Sequence, residues 1–144
     1  MLVNTIDGKQ CEWKPLGKNK KRYKRSQLHR LAINCVQALL PSTPIVEECF
    51  VPLYSHEQKK HRFDIYLPMY GIVLEVDGAQ HDKPNSHFHK GPSDFTKQKQ
   101  LDNAKDEWAE LNDILLVRLR HNEDEFVWQL KISEAIRQAI RRNK

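Results

Sequence analysis

Three consecutive apolar residues, Ile72, Val73 and Leu74, run straight into Glu75, Val76, Asp77 and Gly78, and this segment constrains the chain more than any other. Side chains alternate faces along a strand, so an unbroken apolar run needs cover on both sides of its sheet. The flanking sequence offers helices for that cover. Ser26 to Leu40 reads as a helix, with Ser26 as N-cap, Leu28, Leu31, Ala32, Cys35, Val36 and Leu39 as one apolar stripe, and Pro41 as its end. Ile45 to Leu53, Arg62 to Leu67 and Tyr70 to Asp77 read as strands, the last two joined by a tight hairpin at Pro68-Met69. A helix follows from Ser93 to Leu111, buried through Leu101, Ala104, Trp108 and Leu111. Asp113 to Leu119 is a further buried strand. Glu123 to Arg142 is a last helix, packed through Phe126, Val127, Leu130, Ala135, Ile136 and Ile140. Helix, three strands, helix, strand, helix predicts an α/β fold: a mixed β-sheet flanked by helices.

At 144 residues the chain fits a single domain. Residues 1–25 lack periodicity and are broken by Gly8, Pro15 and Gly17, which predicts a basic N-terminal arm, with a short strand near Cys11 to Trp13, ahead of a folded unit over 26–144. No apolar run is long enough to span a bilayer, and the N-terminus lacks the apolar stretch of a signal peptide, so a cytoplasmic protein with no membrane partner is expected. Cys11, Cys35 and Cys49 are odd in number and far apart, which suggests neither a disulfide framework nor a zinc ribbon. His81, His87 and His89 share a loop without zinc-finger spacing and read as substrate-facing histidines.

Net charge is +5, and its distribution says more than its size. Seven of the twelve residues from Lys14 to Arg25 are Lys or Arg, and Arg137, Arg141, Arg142 and Lys144 close the chain. Two basic clusters on so short a protein favour phosphate contact. Lys18, Lys20, Lys21, Arg22, Lys24 and Arg25 are the candidates in the arm, and Arg118 and Arg120 those in the last strand.

Burial alone does not ask for acids where this chain puts them. Glu75 and Asp77 end its most apolar strand on one face, and Asp64 interrupts the strand before. Across a hairpin Asp64 and Glu75 come level, where two carboxylates repel unless a cation lies between them. Such an oxygen-rich pocket suits Mg²⁺ or Mn²⁺. Ordinary strand ends salt-bridged to Lys or Arg would leave the same trace.

The text around these acids narrows the choice. Phe63-Asp64-Ile65-Tyr66-Leu67-Pro68, then Val73-Leu74-Glu75-Val76-Asp77-Gly78-Ala79-Gln80-His81, then Lys105-Asp106 and Leu115-Leu116-Val117-Arg118-Leu119 together resemble the very-short-patch-repair endonuclease-like branch of the PD-(D/E)XK nuclease superfamily, from Arg62 to Arg120. The resemblance implies a restriction-endonuclease-like sheet and a metal-dependent DNA endonuclease. It implies Asp64 and Glu75 as metal ligands with the main-chain carbonyl of Val76. It also implies His81 beside the scissile phosphate or the leaving group.

Two positions depart from the pattern. Asp77 stands where the superfamily has a lysine, so the attacking water needs another partner, for which Lys105 and Gln80 are the candidates. The first helix, Ser26-Gln27-Leu28-His29 onward, lacks the early glutamate common in related sequences, and alternation would let only one of Glu47 and Glu48 replace it. These departures keep open a catalytically inactive module that binds DNA or RNA. An interaction protein with an acidic protein partner is a third reading. A double-strand cut would call for a homodimer and a nick would not, so monomer and homodimer both stand.

Overall fold

A computed structural model describes residues 1–17, 25–56, 60–78 and 92–143. Its elements are β1 (Leu2–Asn4), β2 (Gln10–Glu12), α1 (Gln27–Leu39), β3 (Val46–Val51), β4 (His61–Leu67), β5 (Ile72–Asp77), α2 (Pro92–Leu111), β6 (Leu115–Arg120) and α3 (Glu125–Arg142). The main sheet has the order β3-β4-β5-β6, with β3, β4 and β5 antiparallel in turn and β6 parallel to β5. A parallel neighbour needs a crossover, and α2 supplies it.

The sheet is covered on both faces, as the Ile72-Val73-Leu74 run requires. Ile65, Leu67, Ile72 and Leu74 pack with α1 and α3, while Phe63, Tyr66 and Val73 pack with α2 around Trp108. Ser26 caps α1 by accepting the His29 N–H at 3.1 Å, and Asp124 caps α3 by accepting the Val127 N–H at 2.9 Å. Cys35 and Cys49 are buried free thiols. Among the described residues no helix is long and apolar enough to cross a membrane.

Three expectations need correction. The β4–β5 connection is a four-residue turn, Pro68 to Gly71, because Leu67 pairs with Ile72. Gly71, at φ +64°, closes it by donating its N–H to Leu67 O at 3.0 Å. That longer turn is what brings Asp64 level with Glu75. In α3, Phe126, Leu130 and Ile140 are exposed, and Trp128, Ile132, Ala135 and Ala139 face the core. Trp128 sets this rotation, since its indole N–H reaches Arg120 O at 3.0 Å. Leu111, at the end of α2, is likewise exposed.

The third correction concerns the N-terminus. Residues 1–17 are not a loose arm: β1 and β2 form a hairpin whose Val3 and Trp13 are buried. The Trp13 indole donates to Phe50 O at 2.8 Å and meets Trp108 edge-on at 5.2 Å and Tyr66 at 4.9 Å. Asn4 and Asn112 exchange hydrogen bonds that tie the hairpin to the end of α2. The candidate phosphate contacts Lys18, Lys20, Lys21, Arg22 and Lys24 lie outside the described residues. Trp13→Ala should cost about 3–5 kcal/mol of unfolding free energy in urea titration, the range for emptying an aromatic core site. A midpoint equal to wild type would make the hairpin an appendage.

Candidate active site

Asp64 lies where both of its strand pairings lapse. The β3–β4 ladder runs through Val46↔Tyr66 and Glu47↔Ile65, then resumes at Cys49↔Phe63. The skipped step would set Glu48 opposite Asp64. The β4–β5 ladder stops at Ile65↔Leu74, one step before Asp64 would face Glu75. Three carboxylates from three neighbouring strands thus occupy one row, an arrangement that like-charge repulsion disfavours. The backbone yields at this row. Glu48 takes φ +51°, a left-handed conformation rare for a non-glycine residue. Asp64 instead accepts the main-chain N–H of Val76 at 2.7 Å, across the opening between β4 and β5.

Two acids of the row gather with a residue of α1. One ligand atom each from His29, Glu48 and Asp64 lie within 4.8 Å of one another. His29 is buried, and its Nε2 is 3.0 Å from Glu47 Oε1. Glu47 is buried too, and Arg25 grips it with both arms of its guanidinium, at 2.6 and 2.5 Å. Sequence reasoning expected alternation to send Glu47 and Glu48 to opposite faces. The left-handed turn at Glu48 instead leaves both near His29, Glu47 holding the ring and Glu48 beside Asp64.

Glu75 is held from the other face. It is 4% exposed, and Lys105 of α2 reaches its Oε1 at 3.1 Å while donating to Arg62 O at 2.6 Å. Burial, and then the Asp64 charge, push the Glu75 carboxyl up to about 8, which Lys105 offsets only in part. The expectation that Lys105 lies against the sheet agrees with this geometry. Asp77, on the same face, is buried with Arg118 at 3.5 Å. Arg118 also meets Asp102 at 3.8 Å and Asp106 at 2.9 Å. Its guanidinium is therefore turned inward as a tie between β5, β6 and α2, not outward to a phosphate. Arg120 lines a surface cleft with Lys131, beside β6, an edge strand of the sheet among the described residues. Gln80 and His81 lie outside the described residues, as do His87 and His89.

Of the expected metal ligands, Asp64 belongs to the observed cluster. Glu75 adjoins it as a charge, and Val76 contributes its N–H to Asp64. His29 was missed as a site residue. Its signal was a histidine in the first turn of a capped helix, on the side that meets the sheet.

Donor chemistry fits a divalent cation, with two carboxylates and one imidazole converging. Asp64 itself meets no lysine or arginine among the described residues.

The raised Glu75 carboxyl has a pH consequence with a defined sign. A group that binds its proton more tightly when folded stabilises the fold fully below its ordinary value of 4.5, and that contribution is lost as pH rises through about 8. In chelator, wild type should therefore lose thermal stability relative to Glu75→Gln between pH 5 and pH 9 (roughly the window that these two values bracket). Melting curves across that range check this, and a pH-independent difference between the two proteins contradicts it. Comparisons with family models, with curated proteins and with solved structures found no match, so the chemistry of this site is read from its own residues.

Proposed function

We propose that this chain is a metal-dependent endonuclease that hydrolyses phosphodiester bonds in DNA. One observation carries the reading: Asp64, central in a row of three strand carboxylates, has no cationic partner among the described residues and converges with Glu48 and His29. A protein that only binds nucleic acid gains nothing from acids facing a phosphate, whereas a cation-assisted hydrolase needs them. The order α1, three antiparallel strands, α2 and a parallel β6 is compatible with a restriction-endonuclease-like core, one form of the broader α/β architecture.

Asp64, Glu48 and His29 would hold Mg²⁺ or Mn²⁺, which when bound supplies positive charge against the phosphate and a more acidic water. Glu47 meets Nε2 of His29, so the ring that would ligate the cation is fixed by a buried carboxylate. Val76 fixes Asp64 in the same way, through its N–H. Lys105 stands beside Glu75 and takes the place of the lysine that Asp77 displaces. There it can orient a water or offset charge on the leaving oxygen. Arg120 and the basic residues ahead of Arg25 would hold the strand, Arg25 itself being spent on Glu47.

A second reading has its own support. Glu75 and Asp77 already face Lys105 and Arg118, as in a module that keeps the fold, binds nucleic acid and does not cut.

A plasmid-nicking assay with Mg²⁺, Mn²⁺ or EDTA separates the two. Metal should support cleavage, with Mn²⁺ at least as good as Mg²⁺ because an imidazole is among the donors. Asp64→Asn should cut at least about 100-fold more slowly. Cleavage by Asp64→Asn at the wild-type rate would remove this site from the chemistry, and binding without cleavage in every metal would favour the second reading. Glu47→Gln should weaken Mn²⁺ binding by about 10–100-fold in calorimetric titration, the usual effect of losing a ligand's supporting hydrogen bond. Undiminished affinity would make Glu47 a partner of Arg25 alone.

A further inference from the structure

The outer face of α1 carries a polar feature that the acid row does not use. Arg30, Asn34 and Gln37 stand at i, i+4 and i+7, hence on one side of the helix. All three are exposed, and among the described residues none spends its side chain on a hydrogen bond or ion pair. They form one wall of a groove of ≈ 270 Å³ between α1 and the edge strand β3, with Arg25 and Ile45 at its rim and Glu47 at its floor.

The charge of this groove selects its occupant. α1 contains no Asp or Glu from Gln27 to Leu39. Glu47, the one acid lining the groove, is buried under the paired guanidinium of Arg25 and the His29 ring, so it offers no repulsion to an anion. What remains toward solvent is an unpaired guanidinium and two amides. These side chains suit nucleic acid: Arg binds phosphate or guanine, and Asn and Gln pair with adenine edges. From Arg30 to Gln37 the helix advances roughly 10 Å, about three base steps at 3.4 Å each. Glu47, which holds the His29 ring at 3.0 Å, also lines this groove, so the groove adjoins the candidate cation site.

We infer that the α1–β3 groove is a subsite for the DNA strand flanking the cut, Arg30 taking a phosphate and Asn34 and Gln37 facing base edges. This deepens the nuclease reading, on which it rests for the placement of the cut. It is tested by binding rather than by cleavage. The probe is a fluorescein-labelled duplex of mixed sequence, titrated in EDTA with the full chain and with the triple variant Arg30→Ala, Asn34→Ala, Gln37→Ala. The variant should bind about tenfold or more weakly, with a salt slope flatter by about 1, while its melting temperature and Mn²⁺ affinity match wild type. Arg30→Glu alone should weaken binding beyond Arg30→Ala. Unchanged duplex affinity and salt slope overturn the inference. So does retained duplex binding with lost binding to polyglutamate, which would assign the groove to an acidic protein. If wild type cuts in no metal and the triple variant still loses duplex affinity, the subsite stands and the nuclease reading falls. If wild type cuts, Asp64→Asn does not, and the triple variant binds duplex normally, the reverse holds.

Discussion

The structure turns on one row of side chains, Glu48, Asp64 and Glu75, drawn from three adjacent strands at the level where both ladders lapse. Nothing in strand packing asks for three acids abreast, and each distortion around them has a cost. Glu48 leaves the extended region, at a cost of order 1–3 kcal/mol for a residue of its type. Two ladder steps forgo pairing, and Glu75 is almost fully desolvated. Strain that persists in this way is over-determined by its surroundings, and here the surroundings are a hydrogen bond from Val76, an ammonium from Lys105 and a histidine from α1.

The two helical layers play different parts at this opening. α1 reaches it by its first turn, because the Ser26 cap fixes where the helix begins and so where His29 meets the sheet. α2 reaches it by Lys105, one turn before Trp108, so the same helix that anchors the aromatic core also carries the ammonium. The Arg118 cluster keeps that helix seated through Asp77, Asp102 and Asp106. Buried ion pairs of this kind add little net stability, since desolvation absorbs most of the attraction. Their consequence is geometric, because a carboxylate buried without its cation costs far more than the pair, and this restricts α2 to one seating.

Much of this was legible in the sequence. The apolar run at Ile72 fixed cover on both faces, the caps at Ser26 and the spacing of Ala32, Cys35 and Val36 gave α1, and Asp64 and Glu75 stood out as acids in apolar strands. The failures share a cause, which is contact between residues distant in sequence. Trp13 looked like arm because its partners, Phe50 and Trp108, are far along the chain. Phe126 and Leu130 looked buried until Trp128, held by Arg120, set the rotation of α3. Arg118 looked like a surface cation because its three carboxylates lie on two other elements. His29 was read past because a histidine on a helix next to apolar neighbours is ordinary. It becomes a candidate ligand only once β3 and β4 bring Glu48 and Asp64 against it.

Charge pairing sets Asp64 apart from the acids around it. Glu47 has Arg25, Glu75 has Lys105, and Asp77 has Arg118, each a buried carboxylate met by a cation from elsewhere in the chain. Asp64, in the middle of these, takes a backbone N–H and no lysine or arginine among the described residues. Among the described residues, built-in cations meet the acids on either side of it and none meets Asp64. A fourth fixed cation would offset the charge of the row permanently; on the proposed reading an exchangeable cation would do so only when bound, and would leave positive charge facing outward where a phosphate can meet it. The raised Glu75 carboxyl belongs to the same balance, since burial and then the neighbouring Asp64 charge favour its protonated form. On the proposed reading, the acid that meets no lysine or arginine among the described residues is the functional one, and the paired acids around it hold the elements that keep it in place.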